Sequence, residues 1–387
     1  MKLLKRVIVV FACIITACSG EMKVELPEHI AAINNLTVYD LPETPTHEIT
    51  FVPEAYFGDS DDVLIGNFNS AVADDEGRVY LADSDQKTIH VFQPDGTYIQ
   101  SIGKEGKGPG EFVNISLLQT DGTYLYANDF SQRRVNVLSL ENLEFSHTIP
   151  LMKEDNSIDE LRGTYPGSYN LLPDGKLLVT YSRPYRSSDL DDERMNVYYK
   201  LDQEGNIEPG KILELKSNDA ITYQVNNSFT VWFSPFGGRP LIATSLGGRI
   251  YTAWSKDFLI SVHNPDGEQT AAWYYPFENA PLSRDEALNI YDSDQYRKAV
   301  SRIVIPPAWP ALNRIFTDDQ NRLWVSAIVE DQESYQWWVL ADNGEPLATF
   351  TWPRTRSIAD IKNGYLYARE TDEMGLAKVA RYRVEGL

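Results

Sequence analysis

Cysteine is nearly missing from this chain of 387 residues: the only two, Cys13 and Cys18, fall within the first twenty positions. Nothing beyond Cys18 can form a disulfide or supply a thiol nucleophile, so the rest must be held by apolar burial, for which a domain of this size is large enough. Histidine is scarce as well. His29, His47, His90, His147 and His263 lie far apart with no close pair, unlike the spacing of a zinc centre. There is no Gly-x-Ser-x-Gly elbow and no phosphate loop, since the glycine-rich stretch Gly103 to Gly110 falls between repeats. Positive charge is in deficit. Lys and Arg number 35 against 56 Asp and Glu, a net of −21, which argues against nucleic acid and against adhesion to anionic headgroups. No apolar run approaches the ~20 residues of a membrane-spanning helix.

What is present is a repeat. A tight turn of the type Asp-x-x-Gly or Asp-Gly, or a looser variant, recurs six times with Gly77, Gly122, Gly175, Gly248, Asn321 and Gly364 at its glycine position. Each is followed by a short apolar and aromatic strand, such as Val79-Tyr80-Leu81 or Leu323-Trp324-Val325. About twenty residues on, most units carry a second turn, as at Pro94-Asp95-Gly96, Pro265-Asp266-Gly267 and Asp342-Asn343-Gly344. Two hairpins in series at a period of roughly 40 to 50 residues predict an all-β, six-bladed β-propeller of four-stranded antiparallel blades. The last unit ends at Leu387 one strand short, and Glu48 to Phe57 alternates like a strand. Placing it in the last blade closes the ring and removes exposed edges.

The first residues have a different character. Lys2, Lys5 and Arg6 precede the apolar run Val7 to Ile15, the pattern of a signal peptide. Ile15-Thr16-Ala17-Cys18 resembles the lipobox of bacterial lipoproteins, and that resemblance implies lipidation of Cys18 and, with Ser19 following, an outer membrane location facing the periplasm or the cell surface. The expected organisation is a lipoprotein signal peptide over 1–17, an acidic, proline-bearing linker over 18–47 with one apolar piece from His29 to Tyr39, and the propeller over 48–387. Loss of the three basic residues of the signal leaves −24, a surface suited to solubility.

Gly66 to Phe68 and Gly110 to Phe112, Ala82-Asp83, and Ile89 to Phe92 carry a closer likeness. They resemble the G-x-F entry, the A-D after the second strand and the I-x-V-F third strand of NHL repeats. The whole ring also resembles six-bladed propeller lipoproteins of the Bacteroidetes, which have no general activity to transfer.

The repeat is uneven. Successive turn glycines are separated by 45, 53, 73, 73 and 43 residues. The surplus lies at Arg183 to Arg194, Lys216 to Gly238 and Phe277 to Leu312, connections that a meander delivers to one face of the disc, where binding loops are expected. Ser283 to Glu286 has capping-box spacing, and Tyr296, Val300 and Ile303 recur as helix neighbours, so one or two short helices are expected between Leu282 and Arg302. Of the eight tryptophans, six fall on strands; Trp232, beside Phe233, and Trp309 fall in the insertions. These three rings, with Tyr185 and Arg186, could clamp a peptide or sugar, or simply pin the loops to the disc. Arg239, Arg314 and Arg356 stand near the start of innermost strands, with Asn69 and Asn114 in the corresponding places, and suggest an anion site at the channel mouth or, one residue out of phase, blade interfaces. Asp189, Asp191, Asp192 and Glu193 suit calcium less well than a solvated loop, and no cofactor is expected.

The reading is an envelope lipoprotein, expected as a monomer, that binds a peptide, glycan or partner protein on the inserted face. The alternative is a metal-dependent hydrolase or lyase at the channel, as in some six-bladed relatives, and a third is a structural scaffold.

Overall fold

The structure, a computed structural model, describes residues 26–41, 47–58, 63–153, 158–186, 193–225, 228–371 and 375–387. Cys18 and the run Asp189 to Asp192 lie outside them. The residues up to Ile33 form a separate unit, whose described part is a one-turn helix, Glu28–Ala31.

From Asn34 onward the chain folds as six blades. In the first, Phe68–Ala73, Val79–Asp83, Thr88–Phe92 and Tyr98–Ile102 pair antiparallel in sequence order from the channel outward. The second and third strands are buried at every position, because both their faces meet neighbouring blades. The outer strand is only partly buried. Blades two to five begin at Ile115, Tyr165, Pro240 and Leu312. Blade six takes Ile358–Lys362, Tyr365–Thr371 and Ala377–Glu385 from the C-terminus and Thr50–Phe57 from the N-terminus, paired antiparallel from Thr50 with Glu385 to Phe57 with Val379. The N-terminal strand closes the ring as expected.

The closing segment does more than fill a gap. Leu36–Val38 adds to blade four as a fifth, parallel strand, well before residue 48 where the composition changes. His47 then bridges Ala348 on the outer strand of blade five before the chain enters blade six. Tyr39 stacks on Tyr275 at 5.4 Å. The described parts of the segment thus pair with outer strands of three consecutive blades, covering edges that would otherwise offer unpaired backbone groups.

All six turn positions read from the sequence have positive φ, from 61° at Asn321 to 88° at Gly122. Polar groups beneath them are satisfied in a recurring way. In blade one, Asp74 accepts from the Arg78 amide (2.8 Å), Arg78 Nε (2.7 Å) and Tyr80 Oη (2.9 Å). Blade five repeats it with Asp318, the Arg322 amide and Nε, and Trp324 Nε1 at 2.9, 2.7 and 2.8 Å. Asp74 and Asp318 are almost wholly buried, so each charge is offset by a guanidinium and by neutral donors.

Each seam between blades has an apolar cluster, with the smallest between blades three and four (Leu172, Leu178, Tyr198, Leu213 and Ile250). Around the channel the innermost strands are also laced by polar bonds. The Leu118 amide donates to Ser70 Oγ, the Leu171 amide to Gln119 Oε1, Thr244 Oγ1 to the Leu171 carbonyl, Thr317 Oγ1 to the Thr244 carbonyl, Arg314 Nη1 to the Ile358 carbonyl, and the Ala73 amide to Asp360 Oδ2. These six bonds cross all six seams.

Candidate functional site

The insertions of blades three to five build one structure. The hairpin Ala220–Val225 and Ser228–Phe233 packs with two short helices, Arg284–Asn289 and Asp294–Val300. Ser283 and Glu286 cap the first helix reciprocally: the Ser283 amide donates to Glu286 Oε2 at 2.8 Å and the Glu286 amide to Ser283 Oγ at 3.2 Å. The cap's core holds Ile221, Phe236, Tyr296 and Val300, with Trp232, Ile303 and Trp309 packed against it. Trp232 meets Tyr296 edge-on at 6.0 Å, and burial raises the Tyr296 phenol to about 12. Trp232 and Trp309 therefore sit in the cap's packing. Phe233 remains 58% exposed and touches Tyr185, whose Oη donates to the Asn218 carbonyl at 3.1 Å. Asp219 holds the base of the hairpin, accepting from the Gly238 amide (2.8 Å) and pairing with Lys256 (2.8 Å). Arg186 lines a different feature, a polar cavity of about 630 Å³ beside Glu160, Arg183 and Tyr181. Glu193 pairs with Lys216.

The three channel-mouth arginines stand at different depths. Backbone bonds from the second strand mark equivalent rim positions in five blades: Asn67, Asn114, Arg239, Ala311 and Ser357 accept from Ser84, Phe130, Ser255, Ile328 and Arg369. Arg239 is thus at the rim. Arg314 is three residues further in, roughly 10 Å along a strand, and Arg356 is one residue outside. Arg239 Nη2 donates to the Asn313 carbonyl (2.6 Å) and Oδ1 (2.8 Å). Arg314 reaches the Ile358 carbonyl at 2.5 Å and lies 5.0 Å over the Phe316 ring. Both side chains bridge to the next blade and remain solvent-exposed. Crowding by the channel walls nevertheless pushes both below the usual guanidinium range. Arg356 instead pairs with Glu370 at 3.4 Å. Asn69 donates to the Ile115 carbonyl at 3.3 Å.

Two further residues belong to this mouth and were not reached from the sequence. Asp360, at the depth of Arg314, accepts from the Ala73 and Ile361 amides at 2.9 Å, and burial raises its pKa. Arg369 lies 5.0 Å over the Phe68 ring. The distance from turn glycine to this position varies from five residues (Gly364 to Arg369) to eight (Gly122 to Phe130), so spacing alone could not align it.

Histidines serve the blades. His90 is buried beside Ser101 and Asp83, and His263 beside Thr252 and the Gly267 carbonyl. Among the described residues no three His, Cys, Asp or Glu side chains converge as metal ligands, and no helix is long and apolar enough to cross a membrane.

Exposed apolar side chains are unevenly placed. Among the described residues ten large ones are exposed: Leu64, Phe130, Phe233, Tyr291, Val304 and Leu376 lie in connections on the inserted face and Met195 at the strand start beside them, whereas Val38 and Tyr56 lie on outer strands and Leu246 on the turn face.

Residues 49–275 match the family model DUF5128, described as a 6-bladed beta-propeller. Among solved structures, a putative exported protein from Bacteroides fragilis NCTC 9343 is similar at 16% identity, over 90% of this chain and 99% of that one, with a TM-score of 0.51. A member of the DUF4221 family from Bacteroides vulgatus ATCC 8482 follows at 10% identity, 88% and 97% coverage and TM-score 0.49. Virginiamycin B lyase from Staphylococcus aureus shows 10% identity, 87% and 99% coverage and TM-score 0.40. The likeness to the Bacteroides fragilis protein speaks to the fold alone. None of the curated proteins compared matches the chain. The chain belongs to the DUF5128 family of six-bladed propellers.

Proposed function

We propose that this DUF5128 propeller is an exported, lipid-anchored envelope protein that binds a polypeptide partner with its inserted face; a glycan is the other ligand that face would suit. The observation that carries the reading is the gathering of exposed apolar side chains on one face among the described residues, next to the cap over blades three to five. Scattered apolar exposure needs no explanation, whereas its concentration marks an interaction surface. The cap gives that surface a packed base, since Trp232, Tyr296 and Trp309 lie within its packing while Phe233, Tyr291 and Val304 stay exposed.

The test is the double variant Phe233→Glu and Val304→Glu. Both side chains are exposed, so thermal stability should stay within about 0.5 kcal/mol of the parent, while a polypeptide partner cross-linked to the parent in envelope extracts should be lost. Retention of the same partner at the same yield would refute the surface assignment. The anchor is tested separately. Cys18→Ala should move the protein from the membrane fraction to the soluble fraction, and continued sedimentation with membranes would remove lipidation from the proposal.

A further inference from the structure

Several blade arginines are held by a carboxylate: Arg78 by Asp74 and Arg322 by Asp318, each at 2.7 Å, Arg381 by Glu54 at 3.4 Å, and Arg134 by Asp129 at 3.6 Å. Arg239 and Arg314, at the innermost strands of adjacent blades, keep exposed side chains at the channel mouth, and among the described residues neither forms an ion pair. Their hydrogen-bond acceptors are carbonyl and amide oxygens, through one terminal nitrogen each, and Arg314 also lies over the Phe316 ring and feels the charge of Asp360. The remaining N–H groups reach solvent. In a chain with 21 more acidic than basic residues, two exposed cations held by neutral acceptors make the channel mouth a place where an anion can be taken.

We infer that the channel mouth receives a carboxylate of the bound polypeptide, either its C-terminal group or an acidic side chain, between Arg239 at the rim and Arg314 below it. This rests on the reading of the inserted face as a polypeptide-binding surface and adds the group recognised. The free edge of a guanidinium offers parallel N–H donors that match the two oxygens of a carboxylate. Single charge also suits the site better than a phosphate dianion, because Asp360 lies at the depth of Arg314 and the whole molecule is acidic, so each added negative charge is opposed. The Asn313 amide, held by Arg239, fixes the rim guanidinium in place and lowers the ordering cost of binding.

Arginine-selective labelling with phenylglyoxal, read residue by residue by mass spectrometry on the intact protein, tests this without a known ligand. Arg239 should react readily, and Arg78 and Arg322 hardly at all. N-acetyl-dialanine should slow labelling of Arg239, whereas its C-terminal amide should not. Arg314→Gln should weaken that protection roughly ten-fold, the size of one charge-assisted contact, and Arg314→Lys less. Equal protection by acid and amide overturns the inference. Protection by glucuronate but not by the peptide acid overturns the polypeptide source, and stronger protection by inorganic phosphate overturns the carboxylate. Since Phe233 and Val304 are untouched by these measurements, partner capture can succeed while the carboxylate site fails, and the two outcomes separate the claims.

Discussion

The two faces of the disc handle charge in opposite ways. On the turn face, Asp74 and Asp318 are buried with an arginine and an aromatic donor each, drawn from the same turn and the strand that follows it. On the inserted face, Arg239 and Arg314 stay exposed and donate to neutral oxygens of the next blade. One arrangement completes itself and serves folding. The other leaves charge unmatched, which folding alone does not require, and the exposed apolar side chains lie on that same face.

The largest effect should come from breaking the self-contained side. Asp318→Ala leaves Arg322 and Trp324 Nε1 without their acceptor and should cost about 3 kcal/mol or more in chemical denaturation. Arg239→Gln, which removes an exposed bridge, should cost about 1 kcal/mol or less. Similar losses for the two would erase the contrast between the faces. A smaller and graded effect concerns pH. Burial, the dominant influence, lowers the pKa of both His90 and His263 below the ordinary 6.5, although Asp83 opposes it at His90 and the Gly267 carbonyl at His263. The unfolded chain therefore takes up protons first: stability is full above about pH 6.5 and is lost as pH falls below it, by at most about 1.4 kcal/mol per pH unit for each imidazole. Replacing both by Gln should flatten that limb of the stability profile, and an unchanged slope would show that carboxylates such as Asp83, whose folded pKa is also lowered, control it instead.

Much of the fold could be read residue by residue. The six turn positions, the capping box at Ser283 and the closing strand Thr50–Phe57 are local patterns whose geometry follows from backbone sterics and short-range bonds. The site was legible only in outline. Arg239 and Arg314 were singled out, but they and Arg356 lie at three depths because β-bulges and unequal turns shift each blade's count, as between Leu312 and Arg314. Trp232 and Trp309 stood in insertions that the sequence left as either clamp or pin; the cap shows them packed against Tyr296 and its neighbours. Asp360 and Arg369 escaped notice because nothing in their immediate sequence distinguishes a channel position from any other strand end.

The sequence by itself determined the number of blades, the face that receives the long connections and the strand that closes the ring, since turn chemistry and alternation act over a few residues. Tertiary structure decided which cations find a carboxylate. Arg78 meets Asp74 within one turn, four residues away, whereas the surroundings of Arg239 and Arg314 come from neighbouring blades some 40 to 75 residues distant, and only closure of the ring brings those together.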